Sequence, residues 1–264
     1  MSIAFFGDCV GAAGRRALQE GIKHARASRQ LGAIVVNGEN VKNGSGITPE
    51  LYRALRALGA DAVTLGDHAF RDNKISEVLS DPAEPILRPA NLSAKAPGKR
   101  ILRIGASKER PRDIYVLTVL GRIFMSLPAD DPFACVDGLL AAIPESKPIV
   151  IVEAHMEATS EKAALAHHLD GRVTAVIGTH THVATADARV LAGGTAFITD
   201  VGMCGPHGSI IGRGVKGVLR AMTTGVHTAF DMGEGDDRAN GCFVTIDAST
   251  GRATLIDRFE HRLG

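Results

Sequence analysis

Gly178-Thr179-His180-Thr181-His182 directly follows the apolar run Thr174-Ala175-Val176-Ile177. Two histidines at i and i+2 just beyond a buried strand can turn both rings into one pocket. The same context recurs along the chain. Asp8 follows Ile3-Ala4-Phe5-Phe6-Gly7, and Glu39 and Asn40 follow Ala33-Ile34-Val35-Val36-Asn37-Gly38. Asp67 and His68 follow Ala62-Val63-Thr64-Leu65-Gly66, His155 follows Ile149-Val150-Ile151-Val152-Glu153-Ala154, and Asp200 follows Ala196-Phe197-Ile198-Thr199. Strand tips that each deliver a ligand-type residue point to a metal site at one edge of a sheet.

Between these tips the pattern becomes helical. Arg15 to Arg29 carries Leu18, Ile22 and Ala25 at helical spacing. Thr48-Pro49-Glu50 reads as a helix start with Thr as N-cap and Pro at the first helical position, and Gly59 ends that helix. Ser160 to Leu169, closed by Gly171, repeats the arrangement between the His155 and His180 strands. The strands do not alternate apolar and polar residues, as expected of parallel strands covered on both faces. Repeated βαβ units therefore predict an α/β fold with a mostly parallel sheet. Ile86 to Val119 reads as shorter strands. The tail from Gly241 to Glu260 reads as an antiparallel hairpin turning at Ser249-Thr250-Gly251. With no linker or repeat, residues 1–264 are expected to form one domain. Gly202 to Asn240 is Gly-rich and has no clear periodicity; loops of that length are often functional.

Composition narrows the function. The chain has 264 residues, 45% apolar and 22% charged, with 30 Lys and Arg against 29 Asp and Glu. That near balance argues against long nucleic acid as a partner but leaves a nucleotide substrate open, because a metal can supply local positive charge. Cys9, Cys135, Cys204 and Cys242 form no CxxC pair and read as reduced thiols of a cytoplasmic protein. No apolar run approaches a membrane span, and the first residues read as a strand rather than a signal peptide.

Taken singly, most of the clusters have plain readings. Gly7-Asp8-Cys9-Val10-Gly11-Ala12-Ala13-Gly14 invites a phosphate-cradle reading, yet GxGxxG fails at position 9 and no P-loop Lys-Ser/Thr follows. Its glycines serve equally for a tight strand-to-helix turn. Asp8 still stands out, because a carboxylate at a buried strand tip is costly without a partner. Asn37-Gly38-Glu39-Asn40 could be a turn, Asp67-His68 a hydrogen-bonded pair, and His155 a core histidine. The His180–His182 pair favours a metal. In open α/β sheets ligands bind outside the carboxyl ends of the strands, where Asp8, Glu39, Asn40, Asp67, His68, His155, His180 and His182 would all fall. His24, His167, His168, His227 and His261 read as surface or structural, and His207 fits either reading.

In this order the motifs resemble the calcineurin-like metallophosphoesterases, and more closely their YmdB-like branch of 2′,3′-cyclic-nucleotide phosphodiesterases. The resemblance runs through almost the whole chain. It includes Arg88-Pro89-Ala90-Asn91, Glu157-Ala158-Thr159-Ser160-Glu161-Lys162, and Thr199-Asp200-Val201-Gly202-Met203 with Gly205-Pro206. It implies a four-layer α-β-β-α sandwich with two metal ions in the cleft. By that resemblance Asp8, Glu39, Asn40 and His182 would hold one ion. Glu39, Asp67, His155 and His180 would hold the other, with Glu39 bridging, and His68 would be the catalytic acid. The chain departs from the pattern in three places. Asp67 stands where the family usually has Asn, Ala69-Phe70 replaces Thr-Trp, and His207-Gly208 replaces Tyr-Asp. The first changes the charge of the site; the other two bear on substrate preference.

Mixed carboxylate, amide and imidazole ligands without thiolate suit Fe or Mn, with Zn or Co as alternatives, better than Ca or Cu(I). Two such ions ~3.5–4 Å apart can turn a bridging water into hydroxide and clamp a phosphoryl oxygen. The expected reaction is in-line attack of that hydroxide on a small phosphodiester, a cyclic nucleotide of the 2′,3′ type or a relative. His68 would then protonate the departing sugar oxygen. Two other classes stay open: a phosphomonoesterase or nuclease on the same site, and a slow-turnover regulatory protein that binds a nucleotide or RNA end. A homo-oligomer is compatible with each.

Overall fold

A computed structural model describes residues Met1–Gly264. The first half runs β1 (Ser2–Phe6), α1 (Gly11–Ser28), β2 (Leu31–Asn37), α2 (Pro49–Ala57), β3 (Ala62–Thr64), α3 (Ile75–Ser80) and β4 (Ile86–Leu87). It continues with β5 (Leu102–Ile104), β6 (Ile114–Leu120), α4 (Pro132–Ala141), β7 (Ile149–His155), α5 (Thr159–His168) and β8 (Ala175–Thr179). The chain ends with β9 (Arg189–Val190), β10 (Ala196–Ile198), β11 (Gly205–Pro206), α6 (Val215–Thr224), β12 (Asp237–Ile246) and β13 (Ala253–Arg262).

These elements form a mixed α/β structure with two sheets. The first has the order β11-β12-β1-β2-β3-β4, with β13 paired to β12; the second has the order β5-β6-β7-β8-β10-β9. β1 to β4 are parallel neighbours in the first sheet, as are β6, β7, β8 and β10 in the second. Antiparallel strands complete each sheet. The parallel strands carry continuous apolar runs because both faces are covered. In β1, Ile3 and Phe5 pack with Ile149, Ile151, Ala175 and Ile177 of the other sheet. Their neighbours Ala4 and Phe6 pack with Leu18 and Ile22 of α1. On the far side Val150, Val152 and Ala154 of β7 pack with Leu165 and Ala166 of α5.

The helix start at Thr48 lies where the sequence places it: the Thr48 hydroxyl accepts from the Leu51 amide at 3.3 Å, a cap contributing ~1 kcal/mol. Three features differ from expectation. α1 begins at Gly11, four residues early, because Gly14 lies against the Cys204 carbonyl just before β11, to which the Val10 amide also bonds at 2.8 Å. The tail hairpin is longer than the sequence marks, and its β12 extends the first sheet beside β1. The Gly-rich 202–240 region contains β11 and α6, whose only buried residue is Val218. α3 and α4 were not legible either. All four cysteines are free, and no helix is long and apolar enough to cross a membrane.

Candidate metal centre

Parallel strands from both sheets end at one edge, and the eight residues singled out in the sequence meet there in an unbroken chain of contacts. Asp8 follows β1 and is fully buried. Its Oδ2 accepts from the His180 amide at 3.2 Å, and its Oδ1 lies 3.8 Å from His182 Nε2. Glu39 and Asn40 follow β2, with Glu39 Oε1 accepting from Asn40 Nδ2 at 3.1 Å. Asp67 and His68 follow β3, and the His68 amide donates to Glu39 Oε2 at 3.2 Å. His155 ends β7, with its Nε2 3.3 Å from Glu39 Oε1, 3.1 Å from Asp67 Oδ1 and 3.1 Å from His180 Nδ1. One donor atom each from Glu39, Asp67, His155 and His180 lies within 4.8 Å of the others.

What lies behind the three histidines suits them to hold a metal. The Thr179 hydroxyl donates to Glu153 Oε1 at 2.8 Å, so its oxygen is left to accept from His155 Nδ1 at 2.9 Å. The outer nitrogen of His180, Nε2, faces Glu157 Oε2 at 3.3 Å, and that of His182, Nδ1, donates to the Ile211 carbonyl at 3.0 Å. Each ring therefore has its proton-bearing nitrogen engaged outside and presents the other one inward. That is the second-layer arrangement of metal-bound histidines. The remaining contacts of Glu153 fix its position: Asn37 Nδ2 donates at 2.7 Å and Thr118 Oγ1 at 2.7 Å. Asn37 Oδ1 in turn accepts from the Glu39 amide at 3.0 Å, so one buried network orients ligands from both sheets. Burial raises the Glu153 pKa.

Within the cluster the acidic and imidazole groups shift one another. Burial alone would lower the His155 pKa, but Glu39 and Asp67 outweigh it and hold that pKa well above its ordinary value. Against their own desolvation, Glu39 and Asp67 are held below the usual carboxylate range, chiefly by His155. A proton on His155 thus balances charge that a metal would balance. Room for the cluster depends on Gly66, where an added Cβ would collide with Glu39 Oε2 and His155 Nε2. Gly178 has a different role: a Cβ there would strike the Thr199 carbonyl of the neighbouring strand.

Asn40 and His68 are at the centre but oriented differently from the rest. Asn40 Oδ1 faces His68 Nδ1 at 2.8 Å, while its Nδ2 lies between Asp8, Glu39 and His182. A half-turn of that amide exchanges the two atoms and would present oxygen to the ligands. His68 Nε2 is 3.7 Å from Asp67 Oδ2, and its partly exposed ring lines a cleft of about 290 Å³ with Glu157, Ile211 and Arg213.

Outside the site, His24 and His261 stack with centroids 4.8 Å apart, and His167, His168 and His227 are exposed. His207 is structural: Nδ1 donates to the Gly205 carbonyl at 3.0 Å and Nε2 accepts from Asn240 at 3.0 Å. Cys9, beside Asp8, is buried, and its thiol pKa is pushed up to about 12 by burial, which fits packing and not nucleophilic chemistry. The supporting roles of Glu153 and Thr179 were not read from the sequence. A carboxylate inside the apolar run of β7 was the one visible signal for Glu153.

Comparison with known proteins places this geometry. The chain is 38% identical over 258 residues to a 2′,3′-cyclic-nucleotide 2′-phosphodiesterase of Bacillus subtilis (strain 168), covering 98% of this chain and 96% of that protein. A crystal structure of a hypothetical protein from Thermus thermophilus superposes with a TM-score of 0.91 at 38% identity, covering 99% of both chains. A crystal structure of a novel phosphatase from Mycoplasma pneumoniae also gives 0.91, at 30% identity, covering 99% of this chain and 93% of that one. The profile of the family described as YmdB-like protein matches residues 4–259, and the chain belongs to that family.

Proposed function

We propose that the protein is a metal-dependent phosphodiesterase acting on cyclic nucleotides of the 2′,3′ type or related small phosphodiesters. The observation that carries this reading is the outward capping of His155, His180 and His182, which leaves three imidazole nitrogens facing buried carboxylates. The activity of the Bacillus subtilis relative supports it. The reading includes a single domain over residues 1–264, built as a four-layer α-β-β-α sandwich; the three separate apolar cores support that layering.

Asp8, Glu39, Asn40 and His182 would hold one ion, and Glu39, Asp67, His155 and His180 a second, with Glu39 shared. Fe or Mn fits this oxygen and nitrogen set best, followed by Zn or Co. When bound, such ions generate hydroxide from water near neutral pH and polarise a phosphoryl oxygen.

The chain's own residues do the rest. With the Asn40 amide turned so that its oxygen serves the ion, its Nδ2 donates to His68 Nδ1, and His68 would give the proton on Nε2 to the departing sugar oxygen. Arg213, whose guanidinium donates to the Asn43 and Gly44 carbonyls at 3.0 and 2.8 Å, brings positive charge to the cleft and favours an anionic substrate. A cleft of about 290 Å³ suits a small ester.

Metal analysis of anaerobically purified protein, paired with a panel of 2′,3′-cyclic, 3′,5′-cyclic and monoester substrates, tests the reading. Two ions per chain and turnover of cyclic diesters are expected. Turnover of monoesters alone would make it a phosphomonoesterase on the same donors, the reading favoured by the Mycoplasma pneumoniae structure's being that of a phosphatase.

A further inference from the structure

A strained turn beside the metal centre delivers one arginine to the cleft. Ile210 and Arg213 exchange both backbone hydrogen bonds, at 2.9 Å each, and close a two-residue hairpin over Ile211 and Gly212. Both central residues have positive φ, +45° and +95°. That is the type I′ pattern, which ordinarily takes Asn-Gly, and a β-branched residue resists it. Ile211 persists there because its surroundings enforce it. The Gly212 amide donates to Ser209 Oγ at 2.9 Å, and the Gly233 amide to the Gly212 carbonyl at 2.8 Å. The Ile211 carbonyl accepts from His182 Nδ1 at 3.0 Å. Strained backbone of this kind concentrates at functional sites, and the residue that follows it is Arg213.

Arg213 is held in place without being used up. Its Nη1 donates to the Asn43 carbonyl at 3.0 Å and to Met232 Sδ at 3.7 Å, and its Nη2 donates to the Gly44 carbonyl at 2.8 Å. An added Cβ on Gly44 would lie 2.8 Å from Arg213 Cζ, so the guanidinium occupies the space a side chain there would take. These bonds leave the Nε hydrogen and one Nη2 hydrogen, parallel donors on one edge of the guanidinium plane. Two carbonyls and a thioether carry no charge, so they orient the cation without neutralising it. Arg213 lines the same cleft as Glu39, Asn40, His68, His180 and His182. Its link to the metal donors is direct. The Gly44 amide donates to the Asn40 carbonyl at 2.9 Å, and Asn40 Nδ2 lies 3.1 Å from His182 Nε2. Arg213, Gly44, Asn40, His182 and Ile211 thus close a ring of contacts around one side of the cleft.

We propose that Arg213 grips the substrate's phosphoryl group, its free Nε–H and Nη2–H edge taking two non-bridging oxygens as a bidentate pair. The proposal rests on the phosphodiesterase reading and deepens it, because Arg213 lies outside every motif that carries the family resemblance. A planar fork matches two phosphoryl oxygens in a way that a lysine ammonium does not. Held by the turn before substrate arrives, it meets charge developing on those oxygens without having to reorganise. A purely structural strap between the Asn40–Gly44 loop and the turn would act through metal binding instead.

The test compares wild type with Arg213→Met and with Arg213→Lys, which keeps the charge but not the fork. The direct readout is calorimetric titration of the Mn²⁺-loaded proteins with inorganic phosphate, at equal Mn²⁺ content. Arg213→Met should bind phosphate about 10- to 100-fold more weakly, and Arg213→Lys should recover only part of that loss. Hydrolysis of adenosine 2′,3′-cyclic monophosphate should follow the same order in kcat/KM. Equal phosphate affinity in wild type and Arg213→Met overturns the proposal, and so does a wild type that binds no phosphate. Full affinity in Arg213→Lys overturns it as well, by showing that charge without the fork suffices. If Arg213→Met sheds Mn²⁺ and regains phosphate affinity once Mn²⁺ is saturating, Arg213 is only a strap and the proposal fails. Should Arg213→Met not fold, Arg213→Lys decides alone: weaker phosphate binding at full Mn²⁺ content supports the grip, and equal binding overturns it. A wild type that leaves the cyclic ester intact while phosphate binding follows the expected order would sink the phosphodiesterase reading and leave the grip standing.

Discussion

Lys162 Nζ lies 2.8 Å from Asp200 Oδ2, and both side chains are fully buried. The pair grips the residues on either side of His180. Lys162 donates to the Thr179 carbonyl at 2.7 Å, and Asp200 Oδ2 accepts from the Thr181 amide at 3.1 Å and hydroxyl at 2.8 Å. His180 and His182 have φ of +96° and +65°, conformations that side chains other than glycine resist. The ion pair holds the loop where both rings can face the carboxylates.

Removing one member of a buried pair leaves an uncompensated charge and costs ~3–5 kcal/mol. Lys162→Met should therefore lose about that much stability in urea unfolding. It should also bind Mn²⁺ at least ~10-fold more weakly under conditions where it is still folded, since ~1.4 kcal/mol of lost loop order suffices. Unchanged Mn²⁺ affinity in the folded variant would show that the pair supports the fold without positioning the histidines.

Glu39 touches ligands of both proposed ions, through Asn40 on one side and His155 on the other. Glu39→Ala should lower metal content more than any other single ligand change. His167→Ala, an exposed residue of α5, should leave it unaltered. Equal metal stoichiometry in the two proteins would end the two-metal proposal.

His68→Ala should keep both ions, since the four clustered donor atoms belong to other residues. Its turnover should fall by ~10²–10⁴-fold on a sugar leaving group. The loss should shrink for an activated phenolate, which needs no proton. Equal losses on both substrates would remove His68 from the acid's role.

Asp67 is held well below the ordinary carboxylate range, against burial, by hydrogen bonds to His155 and His180, and so would meet the proposed ions as an anion. With Asp8, Glu39 and hydroxide it would cancel the four charges of two divalent ions. An amide at this position would leave net positive charge to attract an anionic substrate. Asp67→Asn should lose metal more readily to chelator yet show a lower KM at saturating Mn²⁺. Firmer metal retention with no fall in KM would refute the charge argument.

The strand tips were legible in the sequence because their cause is local. Unalternating runs such as Ile149–Ala154 are the pattern of parallel strands covered on both faces, and the polar residue ending each run lies at the sheet's edge. The eight site residues could be named on that ground. Their convergence could not be measured, because it depends on contacts between distant segments; Asp8 and the His180 amide are 172 residues apart. The separation into two sheets, the Glu153–Thr179 support of His155 between neighbouring strands β7 and β8, and the Lys162–Asp200 clamp between α5 and the residue after β10 arise only when distant segments come together. α6 escaped for the opposite reason: with one buried residue and glycines around it, little core contact marks it in the pattern. Residue type and chain periodicity determined which side chains could be ligands and which strands carry them. Burial and long-range hydrogen bonds, which exist only in the folded chain, decided which nitrogen of each histidine faces inward.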